Sequence, residues 1–193
     1  ALIPPYEFQE LLKQCYFIGN KSFTLVATTG FIMGIVITLQ TRPTLVEFGA
    51  VSWMPSMVGI SIVREIGPVI TALICAGKIG SGIGAELASM KVTEQIDAME
   101  VSGTNPFKYL VITRVTATTL MVPTLVIISD IISLCGSAMV ESIKGGVTFQ
   151  RYFSRVFEYL TFGDLLPSII KSFFFGFAIG IVGCYKGYTS TKG

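Results

Sequence analysis

Histidine does not occur in this chain of 193 residues. Its absence removes Ser-His and Cys-His catalysis and the commonest metal ligand. No HExxH or GxSxG motif stands in for it, which argues against an intramembrane hydrolase. Charge is scarce too: Asp, Glu, Lys and Arg make up 13% of the chain, against roughly a quarter in a soluble domain. So few charges cannot cover a globule of this size. Cysteine is limited to Cys15, Cys75, Cys135 and Cys184, far apart and with no CxxC pair. Most of them lie in apolar runs, where a thiol acts as a small hydrophobe, and neither a disulfide nor a metal site is expected. A net charge of +2 is too small to point to nucleic acid. Ala1 to Asn20 holds Pro4, Pro5, Glu7 and Glu10 and has no apolar core of the kind a signal peptide carries.

Apolar residues are what the chain does have. They make up 51% of it, and the mean hydropathy is +0.70. They come in runs long enough to cross a bilayer, which takes about 20 residues per helix. The first span is predicted from Ser22 to Gln40, with Gly30 and Gly34 as a small face that allows close helix approach. Thr41-Arg42-Pro43 is expected to end it. The second runs from Gly49 to Gly77. The third, Tyr109 to Val140, is too long for one upright crossing, so a tilt or a bend at Pro123 is expected. The fourth runs from Leu165 to Tyr185. The reading is an all-α integral membrane protein, a single domain over residues 1–193. Residues 1–21 form an interfacial or connecting segment, residues 78–108 a cytoplasmic coupling region and residues 141–164 a far-side interfacial loop. That loop mixes Lys144, Arg151 and Arg155 with Phe149, Tyr152, Phe153, Phe157 and Tyr159, which suits a short helix at the interface.

Four spans place both ends and the Gly77–Lys108 connection on one side. Lys and Arg favour that side, which makes it cytoplasmic. Inside the apolar runs stand Arg64, Glu65, Asp130 and Lys171. Ionisable groups at membrane depth are costly unless paired or wet, and they mark functional positions. Glu65 and Lys171 have opposite signs, as do Asp130 and Lys171, so an ion pair is expected. Arg64, about 100° further round the helix, needs a different partner. The glycine-rich run Gly77 to Ala85 is not a phosphate loop, because Lys78 precedes the glycines and no βαβ unit surrounds them. It reads as a flexible exit from the second span. In Glu86 to Val101, apolar residues at spacings of 3 and 4 alternate with charges of both signs, the pattern of an amphipathic helix. That helix either rests on the membrane or docks a soluble partner.

The runs Arg64-Glu65-Ile66-Gly67-Pro68-Val69, Ala76-Gly77-Lys78-Ile79-Gly80-Ser81 and Ala85-Glu86-Leu87-Ala88-Ser89-Met90-Lys91-Val92-Thr93-Glu94-Gln95-Ile96-Asp97-Ala98-Met99 closely resemble the MlaE/YrbE permease family. The similarity extends from about Gly30 to Gly187. Permeases of this family belong to ABC transporters that work with MCE-domain proteins. They move phospholipids between the two membranes of Gram-negative bacteria, with relatives in the chloroplast envelope. The resemblance implies a permease homodimer, two cytoplasmic ATPases that bind the ATP, and an MCE ring on the far side. It implies no cofactor for this chain and a location in the bacterial inner membrane, or alternatively the chloroplast inner envelope. Residues 86–101 would be the coupling helix, with Glu86, Met90, Lys91, Glu94, Gln95 and Asp97 meeting the ATPase. Ile37, Thr44, Leu45, Phe48 and Trp53 would line a lipid cavity at the dimer interface. Glu65 and Lys171 match charged positions inside the membrane. Family members carry a longer N-terminal interface segment and a further membrane helix after Gly187-Tyr188, so a fifth span is expected beyond the end of this sequence. The competing reading is an ion- or proton-coupled secondary carrier built on Glu65, Asp130 and Lys171. Such a carrier has no use for an ATPase dock.

Overall fold

The computed structural model describes residues 8–145 and 147–190, and every regular element among them is helical. In chain order these are α1 (Phe8–Glu47), α2 (Val51–Val92), α3 (Gln95–Val101), α4 (Phe107–Gly145), α5 (Phe149–Tyr159) and α6 (Phe162–Tyr188). Helices α1, α2, α4 and α6 are long and apolar enough to cross a membrane, as the hydropathy pattern predicts.

Their ends differ from the expectation. Thr41-Arg42-Pro43 does not stop the first helix, which carries Pro43 inside it and continues to Glu47. Proline costs a helix one hydrogen bond, and in a membrane bundle neighbouring groups make good the loss. Phe8 to Gly19 is likewise the opening of α1 and no separate surface helix. The first seven residues of the expected interfacial segment lie outside the described residues. The glycine-rich run is no flexible exit either, because Ala76–Gly80 forms a wide π turn and the helix runs on to Val92. A second wide turn, Ile62–Ile66, lies just before Pro68, which has no amide to offer the Arg64 carbonyl four residues back. Within the turn the Gly67 amide reaches back five residues to the Ile62 carbonyl. The helix expected over residues 86–101 is two helices. Thr93-Glu94 turns between them, with Glu94 at φ 59°.

Small residues bring the long helices together. The Ser133 hydroxyl donates to the Gly30 carbonyl at 2.8 Å. A methyl group added at Gly34 would run into the Ser133 carbonyl. On α6, Gly176 and Gly180 lie against Thr118 of α4, while Gly183 and Gly187 lie against Gly80 and Gly84 of α2. Two apolar clusters form the core. One joins Ile18, Ile79, Leu87, Ile96, Leu110 and Ile179; the other joins Leu45, Met54, Val58, Ile62, Tyr152 and Val156.

The second cluster marks the far end, and polar contacts lock it. Arg42 donates to Glu141 at 2.7 Å and to the Lys144 carbonyl at 2.8 Å. A short helix does form there, α5, which turns Tyr152 and Val156 inward. The Tyr152 hydroxyl lies 2.6 Å from Ser137 Oγ, and Thr38 Oγ1 lies 2.6 Å from the same atom, so one chain ties α1, α4 and α5. Burial pushes the Tyr152 phenol up to about 12, so it stays neutral and able to donate.

Candidate functional site

The charged cluster begins at the wide turn that holds Arg64 and Glu65. Glu65 is 14 residues into α2, about 21 Å from its start, and Lys171 is nine residues into α6, about 14 Å. Both positions lie inside helices long and apolar enough to cross a membrane. Lys171 Nζ donates to the two carboxylate oxygens of Glu65 at 2.8 and 2.9 Å. The expected pair is present, and the Asp130–Lys171 alternative is not adopted. Arg64 finds its separate partner in Asp164, at 3.7 Å, and also lies 3.8 Å from Glu65. Asp164 is fixed by capping α6: its Oδ2 accepts from the Thr161 hydroxyl at 2.8 Å and from the Thr161 amide at 3.2 Å. Sequence reasoning left Asp164 aside, although Thr161-x-x-Asp164 carries the spacing of a capping box.

The cluster is not buried in the chain. The Glu65 side chain is 57% exposed and that of Lys171 is 38% exposed. Around them on the same two helices, Val69, Leu73, Phe173 and Phe174 are exposed as well. Four charges therefore form an island on an otherwise apolar flank. Asp130 stands apart from it. It is buried, forms no ion pair among the described residues, and its Oδ1 has no hydrogen-bond partner. It packs so closely on Gly67 that a methyl group there would collide with it.

The residues expected to line a lipid cavity are only partly available to one. Thr44, Phe48 and Trp53 are exposed, and the Trp53 ring tilts against Tyr159 at a centroid distance of 5.3 Å. Ile37 is half-buried and packs on the far-end cluster. Leu45 does not face outward: it is buried in that cluster beside Met54 and Val58, because α1 continues past Pro43 and keeps its helical face against the core.

The residues expected to meet an ATPase gather at the opposite end. Glu94, Gln95 and Asp97 are exposed, and Lys91 pairs with Asp97 at 3.1 Å across the turn. Ile96 anchors α3 in the core. Two residues depart from the expectation. Met90 packs inward against the core, and Glu86 is engaged by the nearly buried Arg114 at 3.1 Å. Among the described residues no group of His, Cys, Asp or Glu is placed to hold a metal ion.

Comparison with known proteins joins this geometry to a family. The family model described as Permease MlaE matches residues 11–193. A "Probable ABC transporter permease protein" of Rickettsia typhi is 40% identical over 190 residues, 98% of this chain and 73% of the relative. Proteins with the same description are 33% identical in Synechocystis, over 94% of this chain and 69% of the relative, and 37% identical in Pyropia yezoensis, over 95% and 70%. With four membrane-crossing helices and a match over nearly its whole length, the chain belongs to the MlaE permease family, as the membrane subunit of an ABC transporter whose ATP hydrolysis falls to a partner ATPase.

Proposed function

We propose that this permease moves phospholipids between membranes, as a homodimer seated on cytoplasmic ATPases and working with an MCE-domain protein on the far side. The observation that carries the proposal is the exposed Glu65–Lys171 pair, with Arg64 and Asp164, on an apolar flank at membrane depth. Hydrocarbon does not solvate such a group, so the flank faces protein or a polar chamber. A second copy facing it would cover the charges and enclose a space with apolar walls and one charged spot. Acyl tails suit the walls, and a phosphate-bearing headgroup suits the spot. Thr44, Phe48 and Trp53, exposed where α1 passes to α2, would extend the lining, with Ile37 half-buried behind them.

The phospholipid cargo and the MCE partner rest on the family resemblance, and so does a site in the bacterial inner membrane or the chloroplast inner envelope. Membership in an ABC family displaces the ion-coupled carrier, since transport then draws on ATP. The test is photo-crosslinking in proteoliposomes. Probes at Phe48 and Trp53 should capture labelled phospholipid several-fold more strongly than a probe at Ile127, an exposed position on α4. Equal labelling at all three would overturn the lipid chamber.

A further inference from the structure

A second groove lies away from the charged island, between the early part of α1 and the later part of α2. It encloses about 520 Å³. Phe17, Ile18, Ile79 and Ile83 give it apolar walls, and Lys21 and Lys78 stand on its two sides. Most of its other polar residues are already engaged. Gln14 donates to Glu10 at 3.0 Å, Ser81 bonds the Gly77 carbonyl, and Glu86 is held by Arg114.

The two lysines are not engaged in this way. Neither forms an ion pair among the described residues, and Lys21 only sits over the Phe17 ring at 3.7 Å. Ser22 lines the same groove; it is 1% exposed and its hydroxyl has no hydrogen-bond partner. A buried hydroxyl left unpaired costs stability unless something binds it. The level of the groove is also telling. Lys21 is 21 residues from Arg42 along α1, about 32 Å, close to the thickness of the hydrocarbon layer. Lys78 is 13 residues beyond Glu65 on α2, about 20 Å. A hydrocarbon layer that ends near Arg42 would therefore end again at the groove, at the level of the headgroups.

We propose that this groove binds an anionic phospholipid, with its phosphate between Lys21 and Lys78 and accepting from the Ser22 hydroxyl, and an acyl chain along Ile18, Ile79 and Ile83. The proposal rests on the lipid reading above and adds a headgroup-selective site outside the chamber. Two unpaired cations select negative charge, and the apolar walls select a lipid over a free anion.

The test is native mass spectrometry of the permease in its complex, exchanged against equal amounts of phosphatidylglycerol and phosphatidylcholine. The wild type should retain phosphatidylglycerol preferentially. Lys21→Gln with Lys78→Gln should cut that preference on the order of tenfold, and Lys144→Gln at the far end should leave it intact. Gly82→Leu provides a variant that leaves the charge untouched. Gly82 lines the groove and an added Cβ meets nothing within 4 Å, so the leucine fills the space and should also expel the lipid. The proposal is overturned if the double variant or Gly82→Leu keeps the preference, if Lys144→Gln loses it equally, or if excess inorganic phosphate displaces the ligand as well as the lipid does. Retention of lipid without any headgroup preference would sink this site alone. Retention of no lipid at all would sink the lipid reading with it.

Discussion

Glu65 and Lys171 are 106 residues apart in the chain and meet at 2.8 Å. Removing one partner leaves the other uncompensated at membrane depth, so Glu65→Leu and Lys171→Leu should each lower the yield of assembled permease. The double substitution should restore yield above either single change, because no orphan charge remains. Size-exclusion yield of the three variants checks this, and strictly additive losses would show that the two groups do not interact. Sign and depth made this pair legible in the sequence as one of two, and the packing of α6 on α2 decides it over Asp130–Lys171. The Arg64–Asp164 contact was not legible, since Asp164 sits at a helix start outside the apolar run, and only folding α6 back on α2 brings it near. Leu45 and Met90 were misplaced for a related reason. An apolar residue near a polar boundary reads the same whether it faces core or lipid, and the neighbouring helices decide.

At the level of single elements, the glycines show how closely the helices meet. Gly34→Ala presses a methyl group on the Ser133 carbonyl, so α1 and α4 must separate, at a cost of about 1–3 kcal/mol. Gly82→Ala enters open space and should gain about 0.5–1 kcal/mol from helix propensity. Thermal unfolding in detergent should therefore move in opposite directions for the two variants, and equal shifts would contradict the packing described. The spans themselves were plain from hydropathy, but their ends were not. Signals that stop a helix in water, such as Pro43 and the Gly77–Gly84 run, lose force where neighbouring helices satisfy the freed backbone groups. The break inside residues 86–101 was hidden for the opposite reason. The left-handed residue there is Glu94, where a glycine or asparagine would have announced the turn.

Across the whole molecule, the expected sites divide between two ends. The far end holds Trp53, the Arg42–Glu141 clamp and α5; the near end holds the α2–α3 turn with its acidic outer face of Glu94, Asp97 and Glu100. Reversing charge at Glu94 and Asp97 together should reduce co-purification of the ATPase and the hydrolysis it couples to transport, while leaving membrane insertion unchanged. Unaltered complex yield would remove α3 from the coupling surface. The rod between the ends is a single helix of 42 residues, about 63 Å long, interrupted only by its two wide turns. Each wide turn stores one residue beyond the α register. A turn that sheds this residue swings everything beyond it by about 100°, one residue's share of the helical circuit. Glu65 stands in the first wide turn, and the second lies between it and the α2–α3 turn, so these two turns set the rotational phase between the charged island and the near end.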